Sequence, residues 1–503
     1  MSFFCAILYS DLSCGFIHLK IYYGGEEMSS SSQASQRIVS LLDENSFVEI
    51  GAQVKARSTD FNLKQTETPS DGVVTGYGVI GGKLVYVYAQ DASVLGGSVG
   101  EMHAKKIAGL YDMALKMGAP VIGLIDSAGL RLQEATDALN AFGEIYRKQV
   151  SASGVVPQIT AILGSCGGGL ALFPTMTDFT FMEEKSGKLF VNSPNVLEGN
   201  SVEKCDTSSA AWQSGEVGNV DVVADEMTLY TQIRELVSLL PSNNEDTENF
   251  DECADDLNRA CENLDGSAAD PALMLRQISD NGIFFETKRD YAKEMVTGFI
   301  KLNGATVGVI ANRSAVYDEK GEVAEKFDNV LTAHACNKAA DMVDFCDAFE
   351  IPVLSLTNVA GFGATKCDER HVAKSAAKLV AALSGATVPK VNVVTGKAYG
   401  SAYVVMNSKA IGADMTFAWP DAEIGTMNAD HAAKIIADGK DSGTVAETAA
   451  AYAKLQNNVE SAAGRGYVDT IINAEDTRKY VIGAFEMLYS KREERPVRKH
   501  TTV

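Results

Sequence analysis

Apolar and polar positions alternate along the chain between short runs with strand periodicity and longer stretches with helical periodicity. Residues 73–80 and 84–89 are rich in β-branched and aromatic side chains and flank Gly81-Gly82, which predicts a β-hairpin. Over residues 101–116 the apolar positions recur at helical spacing, and residues 120–125 then form a short, apolar run. This order predicts an α/β fold with a parallel, helix-covered sheet and a ligand crevice at the carboxyl ends of its strands.

A second helical stretch, at residues 133–151, leads to a predicted strand, a glycine turn and the beginning of a helix. Residues 159–163 are apolar apart from Thr160, glycines at 164 and 167–169 interrupt the strand, and residues 170–176 favour a helix. Because glycines have no Cβ atoms, a ligand can approach the backbone at such a turn, and the free N–H groups at the start of a helix attract negative charge. The turn is therefore a candidate oxyanion hole, and close packing of the helix against the sheet is the alternative interpretation.

The same pattern returns in the second half of the chain, at one constant offset in sequence. The matched positions are Pro120 and Pro352, Pro157 and Pro389, Gly164 and Gly396, Gly168 and Gly400, and the strand ends Asp126 and Asn358. We interpret the chain as two copies of one α/β unit. Because both copies keep glycines at the turn, the repeat favours a catalytic role over packing alone.

Two segments lie outside the repeat. Residues 1–27 are largely apolar but lack the basic region that a signal peptide requires. Gly24 to Met28 is what a ribosome-binding site and a start codon would encode, so we expect residues 1–27 to be a spurious or disordered extension. Residues 242–272 are predicted to be an acidic connector, because nine acidic residues and one arginine occur between 245 and 265.

Composition narrows the classes of partner. A formal net charge of −22 disfavours nucleic acid and anionic membranes, because both need a basic surface. No uninterrupted apolar run has the length of a membrane span, the nine cysteines include no Cys-x-x-Cys pair, and the six histidines lack metal-ligand spacing. We therefore expect a cytoplasmic protein without a bound metal.

The sequence gives little support for the common catalytic motifs. Gly96-Gly97-Ser98-Val99-Gly100 comes near a Gly-x-Ser-x-Gly elbow but is weak evidence for one, and the sequence contains no Walker loop and no strand-led Gly-x-Gly-x-x-Gly. Glu101 and His103 are a candidate acid–base pair, but a glutamate at a helix N-terminus is favoured by the helix dipole, and we prefer that interpretation. The two glycine turns remain. Two oxyanion holes suit a reaction with two carbonyl-type partners, such as carboxyl transfer, in which each partner passes through an enolate-like state.

Several motifs in a fixed order then point to one family. They are Gly96-Gly97-Ser98-Val99-Gly100-Glu101-Met102-His103, Ser153-Gly154-Val155-Val156-Pro157-Gln158-Ile159, Tyr291-Ala292-Lys293-Glu294-Met295-Val296-Thr297-Gly298-Phe299 and Lys397-Ala398-Tyr399-Gly400-Ser401-Ala402-Tyr403. From about residue 71 to residue 488 the chain resembles the carboxyltransferase subunits of biotin-dependent acyl-CoA carboxylases, transcarboxylases and decarboxylases. The resemblance implies two tandem crotonase-like domains of the ClpP/crotonase superfamily, at residues 28–241 on the acyl-CoA side and 273–503 on the biotin side.

The resemblance also assigns roles to residues at both turns. Gly168 and Gly169 would form the oxyanion hole around the acyl-CoA carbonyl, and Ser401 and Ala402 the hole around the biotin urea. The substrate-binding positions would be Gly129, Gly167, Gly400 and Val404, of which Val404 falls where the family varies a residue that tunes acyl size.

Partners follow from the same resemblance. The chain has no Met-Lys-Met biotinylation site, so biotin would arrive on a separate biotin carboxyl carrier protein. The active site would lie between two subunits, which implies a homo-oligomer, a dimer at minimum and up to a hexamer. The direction of transfer stays open: the partner is a biotin carboxylase in a cytoplasmic carboxylase, or a membrane β subunit in a sodium-pumping decarboxylase at the inner membrane.

The chain departs from the family at both turns. Serines stand at 165 and 401 where proline and glycine are usual, and residues 360–362 and 367–375 replace a Pro-Gly-Phe and a glycine-rich segment. A scaffold that has lost the chemistry is therefore one alternative. A crotonase-type hydratase or thioesterase is a weaker one, because a single copy of the unit would suffice.

Overall fold

The computed structural model describes residues 32–57, 67–200, 204–247, 250–318 and 320–495. The predicted N-terminal extension at residues 1–27 lies outside these ranges. None of the helices within them is long and apolar enough to cross a membrane.

The first half forms one eight-stranded sheet, with the strands in the order β1-β2-β3-β4-β5-β6-β8 and β7 paired to β5. Its strands are β1 (Val48–Ile50), β2 (Val73–Ile80), β3 (Lys83–Gln90), β4 (Val121–Ser127), β5 (Gln158–Gly167), β6 (Phe179–Glu183), β7 (Lys188–Phe190) and β8 (Val222–Ala224). The predicted hairpin is confirmed, because β2 and β3 pair antiparallel from Ile80 opposite Lys83. From β3 onward all pairs are parallel, as predicted.

The second half repeats this topology in the order β9-β10-β11-β15-β17-β18-β20, with β19 paired to β17. The strands are β9 (Phe284–Thr287), β10 (Met295–Leu302), β11 (Ala305–Asn312), β12 (Ala315–Tyr317), β13 (Val323–Lys326), β14 (Val330–Leu331), β15 (Val353–Val359), β16 (Gly361–Phe362), β17 (Lys390–Tyr399), β18 (Met415–Ala418), β19 (Glu423–Gly425) and β20 (Thr470–Ile471). Strands β12 to β14 and β16 form two separate two-stranded pairs. The prediction of two copies of one α/β unit is confirmed, since each strand of the first sheet has a counterpart in the second.

Helices connect and cover the strands. They are α1 (Gln33–Leu41), α2 (Glu101–Met117), α3 (Ala135–Ala152), α4 (Leu172–Thr175), α5 (Ala210–Trp212), α6 (Glu226–Leu239), α7 (Pro271–Ile278), α8 (Ala333–Ala348), α9 (Lys366–Gly385), α10 (Gly400–Val405), α11 (Ala429–Ile436), α12 (Ser442–Tyr452), α13 (Val459–Gly464) and α14 (Thr477–Leu488). Helix α2 ends where the sequence predicts, because Gly118 adopts the left-handed conformation that closes a helix, with φ of 61°. Helix α7 begins within the predicted acidic connector.

One feature of the first glycine motif differs from the prediction. Gly164 does not interrupt the strand, because β5 continues to Gly167. Ile125 pairs with Ile162 and Ser127 with Cys166, so Asp126 alone lies opposite residues 163–165 of a bulged β5. Gly164 is therefore part of the bulge within β5, and the turn begins only after Gly167.

The two halves share a hydrophobic core. The ring of Phe179 on β6 lies 5.9 Å from that of Phe299 on β10 and 4.9 Å from that of Phe345 on α8, each edge to face. Contacts of this kind stabilise a core beyond the area that they bury. The two sheets are thus packed against each other through side chains from both copies of the unit.

Candidate active site

The first glycine turn follows the carboxyl end of β5. Gly168 begins a short 3₁₀ helix that runs to Ala171 and leads into α4. Its φ is 65°, a left-handed conformation in which a side chain is strained, so the turn requires glycine there. The first N–H groups of a helix have no acceptor within it, and Gly169 is exposed, so these donors are accessible to a ligand.

A second glycine loop borders this turn. Gly129 is buried, has a φ of 93°, and a Cβ on it would lie 3.4 Å from the carbonyl oxygen of Gly167. Its N–H donates to Ser127 Oγ at 3.1 Å, and its carbonyl accepts from the N–H of Val99 at 2.8 Å. The structure therefore brings Gly129 and Gly167–Gly169 together at one edge of the first sheet.

Asp126 fixes the bulge below the turn. A Cβ on Gly164 would lie 2.1 Å from Asp126 Oδ1, so glycine is what allows the carboxylate to sit against the strand. Asp126 Oδ2 accepts from Arg37 Nη1 at 2.9 Å, and Arg37 also pairs with Glu226 at 3.3 Å. This ion-pair network ties α1 and α6 to the end of β4.

Tyr146 on α3 contacts the first turn directly. Its hydroxyl donates to the carbonyl oxygen of Gly169 at 2.7 Å. Partial burial raises the pKa of the phenol, so the group stays a protonated donor. The sequence carries no signal for this contact, because it depends on how α3 packs beside β5.

The second glycine turn follows β17. Gly400 begins α10 with a φ of 61°, and a Cβ on it would lie 3.1 Å from the carbonyl oxygen of Thr426. Ser401 is exposed and Ala402 is buried. Val404 is 36% exposed and lies one helical turn after Ser401, on the same face of α10. The four predicted residues at this turn therefore belong to one short helix.

Asn358 takes the place of Asp126 at the second turn. A Cβ on Gly396 would lie 2.7 Å from Asn358 Oδ1, and this oxygen accepts from the N–H of Lys397 at 3.0 Å. Asn358 also lies opposite a bulge, between the pairs of Thr357 and Val359 with β17. In both sheets, therefore, a glycine before the turn lets a side chain of the neighbouring strand lie against the bulge. That side chain is Asp126 in the first sheet and Asn358 in the second.

Each short helix after a turn is held at its far end by buried hydroxyls. In the first half Thr180 Oγ1 donates to the carbonyl oxygen of Pro174 at 2.9 Å. In the second half Thr357 Oγ1 lies 3.2 Å from the carbonyl oxygen of Met406, which is the counterpart of Pro174 in the repeat. Asn407, next to Met406, donates from Nδ2 to Ser355 Oγ at 3.0 Å.

Glu101 and His103 do not form an acid–base pair. His103 is fully buried, accepts from Gln90 Nε2 at 3.2 Å and lies with Nδ1 3.0 Å from the carbonyl oxygen of Asp71. Burial, with the charges of Arg131 and Lys106, lowers the pKa of His103 to about 3. Glu101 pairs with Lys105 at the N-terminus of α2, in keeping with the preferred interpretation.

The segment that departs from the family pattern has regular structure here. Gly361 and Phe362 form β16, which pairs with β14, and residues 367–375 lie in the first half of α9. Thr365 caps that helix by accepting the N–H of Asp368 at 3.0 Å. Within the described ranges, no group of three or more histidine, cysteine or acidic side chains is placed to hold a metal ion.

Comparison with known proteins bears on this arrangement of two matched turns. The model of the carboxyl transferase domain family matches residues 28–503. The propionyl-CoA carboxylase beta chain of Roseobacter denitrificans is 41% identical over 485 residues, which is 93% of each chain. The methylmalonyl-CoA decarboxylase subunit alpha of Propionigenium modestum is 39% identical and covers 95% of this chain and 94% of its own.

A solved structure has the same fold. The crystal structure of transcarboxylase 12S, described as a hexamer assembly with methylmalonyl-coenzyme A and methylmalonic acid bound, superposes with a TM-score of 0.87. It is 37% identical, and the match covers 93% of this chain and 92% of that one. The predicted fold class, two tandem crotonase-like units, is confirmed.

Proposed function

The chain belongs to the carboxyl transferase domain family and is a biotin-dependent carboxyltransferase, and from that membership we propose its substrates and the residues that act on them. The enzyme moves a carboxyl group between biotin on a separate carrier protein and a small acyl-CoA. Propionyl-CoA and methylmalonyl-CoA are the preferred pair, because relatives named for each match almost the whole chain. Acetyl-CoA and malonyl-CoA are the next candidates.

The first turn acts on the acyl-CoA. The N–H groups of Gly168 and Gly169 bind the thioester oxygen, which becomes negative when the α carbon loses its proton or its carboxyl group. Gly129 and Gly167 line the thioester site with backbone: the missing Cβ of Gly167 lets the Phe190 ring pack against the turn, and that of Gly129 lets its loop lie beside the Gly167 carbonyl. Donors held in place before the reaction stabilise the developing charge by several kcal/mol.

The second turn acts on biotin, and its geometry fits that group. The N–H groups at Ser401 and Ala402 lie at the start of α10, where Ser401 is exposed, so they can donate to the oxygen of a urea. Bound biotin supplies a ureido nitrogen that gives up or accepts the carboxyl group. Gly400 sets the direction of these donors through its left-handed φ. Val404 limits the size of the acyl group that fits in the active site.

The observation that carries the proposal is the matched pair of turns. Gly168 and Gly400 adopt the same left-handed φ at equivalent places in two copies of one fold. A reaction with a single carbonyl centre needs one such turn, whereas carboxyl transfer uses one for each partner. In this assignment residues 28–241 are the acyl-CoA domain, residues 242–272 the connector and residues 273–503 the biotin domain.

We further propose that the enzyme works as a homo-oligomer in the cytoplasm with a biotin carboxyl carrier protein. The hexamer assembly described for transcarboxylase 12S supports an oligomer. The partner that loads or unloads biotin depends on direction: a biotin carboxylase in a carboxylase, or a membrane β subunit in a sodium-pumping decarboxylase. The match to the decarboxylase subunit of Propionigenium modestum keeps the second direction as the alternative.

A direct assay tests the proposal. The purified protein is mixed with free biotin or a biotinylated carrier and with malonyl-CoA or methylmalonyl-CoA, and loss of the CoA-bound carboxylate is followed. We expect turnover that depends on biotin and is faster with methylmalonyl-CoA. No turnover with any carboxyacyl-CoA in the presence of the carrier would contradict the proposal and favour a scaffold without catalytic activity.

A further inference from the structure

Tyr146 is the side chain that the structure places against the first turn and that the assigned roles leave unused. Its hydroxyl oxygen lies 2.7 Å from the carbonyl oxygen of Gly169. A Cβ on Gly169 would come within 3.1 Å of the same hydroxyl, which is tighter than ordinary side-chain contacts. Tyrosine at 146 and glycine at 169 are therefore matched to each other.

The position of the hydroxyl is set by neighbouring rings. The ring of Tyr146 meets that of Phe173 edge to face at 5.7 Å, and the ring of Phe142 lies 6.1 Å away. Phe142 and Phe173 are both almost fully buried, at 3% and 0% exposure. A hydroxyl on a ring packed in this way is a fixed donor rather than a mobile one.

The Gly169 carbonyl oxygen accepts from two donors, the N–H of Leu172 within the short 3₁₀ helix and the Tyr146 hydroxyl from outside it. Glycine restricts its own backbone angles least of all residues, so the sequence at 167–169 does not by itself hold one orientation of the peptide groups. A hydrogen bond to the Gly169 carbonyl fixes the peptide plane that follows Gly169. Fixing that plane restricts rotation about the Cα of Gly169. The peptide plane on the other side of this Cα carries the Gly169 N–H, so the direction of that N–H is restricted as well.

The second turn lacks an equivalent contact at the matched position. In the repeat the counterpart of Tyr146 is Lys378, which forms an ion pair with Asp341 on the exposed side of α9. The two turns thus share the left-handed glycine, but only the first has a side-chain hydroxyl from this helix position bonded to it.

We propose that Tyr146 is a positioning residue for the first turn, and that its hydroxyl holds the Gly169 peptide so that the N–H groups of the turn meet the thioester oxygen. The role in turnover rests on the proposed function, whereas the contact with Gly169 does not. Because burial raises the pKa of Tyr146, the hydroxyl remains a donor at neutral and mildly alkaline pH.

The first test is Tyr146→Phe, which removes the hydroxyl and keeps the ring. We expect kcat for carboxyl transfer to fall roughly tenfold, the factor that follows from losing about one hydrogen bond in the transition state. The KM for free biotin should stay unchanged, and the midpoint of thermal unfolding should fall by no more than the loss of one hydrogen bond produces. Tyr291→Phe is the matched control, since it removes a hydroxyl that contacts His334 and should leave kcat unchanged.

The second test is a double-mutant cycle with Gly169→Ala. The added methyl group meets the Tyr146 hydroxyl in the wild-type background and has room when residue 146 is phenylalanine. The double variant should therefore transfer carboxyl groups no more slowly than Gly169→Ala alone, and the two substitutions should be non-additive in unfolding free energy as well.

The outcomes separate the inference from the function. Wild-type kcat in Tyr146→Phe, or strictly additive effects in the cycle, overturns the positioning role while the function stands. A wild-type enzyme without any carboxyl transfer overturns the proposed function, and the unfolding measurements then still decide whether the Tyr146–Gly169 contact exists.

Discussion

Gly168 and Gly400 have the same left-handed backbone conformation, with φ of 65° and 61°, although they lie in different halves of the chain and in different sheets. Their surroundings differ. Nothing lies within 4 Å of the place where a Cβ on Gly168 would sit, whereas a Cβ on Gly400 would meet the Thr426 carbonyl oxygen at 3.1 Å. The conformation itself is therefore what the two positions share.

The open space at Gly168 allows a test of the backbone alone. Gly168→Ala should lower the free energy of unfolding by about 1–2 kcal/mol and reduce carboxyl transfer, because alanine is strained at this φ. Gly168→Asn should lose less stability and less transfer activity than Gly168→Ala, since asparagine tolerates the left-handed region better. Denaturant unfolding and the transfer assay measure the two effects, and equal losses in both variants would contradict a backbone cause.

A different cause operates at Gly164, whose φ is not left-handed. A Cβ there would lie 2.1 Å from Asp126 Oδ1. Gly164→Ala should therefore destabilise the protein by about 1–3 kcal/mol, the usual range for overpacking. Asp126→Ala has a cost of its own, because it breaks the ion pair with Arg37, so the two substitutions are compared in a double-mutant cycle. Gly164→Ala should cost less in the Asp126→Ala background than in wild type, and an equal cost would mean that the clash is not with the carboxylate.

The strands, the hairpin and the repeat could be predicted from sequence because each leaves a local pattern: alternating apolar runs, Gly81-Gly82, and prolines at a constant spacing. The sequence alone predicts Gly164 as part of the turn, because glycine is compatible with a turn and with a bulge, and only the pairing of β4 with β5 distinguishes the two. Tyr146 could not be predicted. Its contact joins residues on different elements, and no periodicity records it.

Asp178 should make the protein less stable as the pH rises. Its carboxyl group is buried and lies near Asp221, which raises its pKa from 3.8 to about 7, although the N–H of Gln158 donates to it at 2.7 Å. The folded state therefore binds a proton that the unfolded state has lost, and stability falls between about pH 4 and pH 7.

Asp178→Asn replaces the titrating carboxyl group by an amide, which does not titrate, and keeps an oxygen that can accept the Gln158 N–H. The variant should gain stability relative to wild type as the pH rises through that window, on the order of 1 kcal/mol per pH unit at most. Urea unfolding at a series of pH values measures the difference. A constant difference between variant and wild type would show that Asp178 does not titrate in this range.

His103 should act in the opposite direction. Burial holds the pKa of His103 at about 3, below the ordinary 6.5. Between these two values the histidine is protonated in the unfolded state and neutral in the folded state. Stability from this residue is present above pH 6.5 and is lost as the pH falls toward 3. His103→Gln should make the protein less sensitive to acid in the same unfolding series, and an unchanged acid limb would contradict the buried, neutral state of this histidine.

Val404 offers a test of substrate size at the second turn. It lies on α10 with 36% of its surface exposed, on the helix face that also carries Ser401, so a larger side chain can project outward without disturbing the core. Val404→Phe should therefore lower kcat/KM for methylmalonyl-CoA more than for malonyl-CoA, by roughly tenfold or more, because the extra methyl group of the former meets the ring. Val404→Ala is the matched control and should reduce the discrimination between the two substrates. If Val404→Phe lowers both values equally while the protein remains folded, the side chain affects the turn in general and does not select the acyl group.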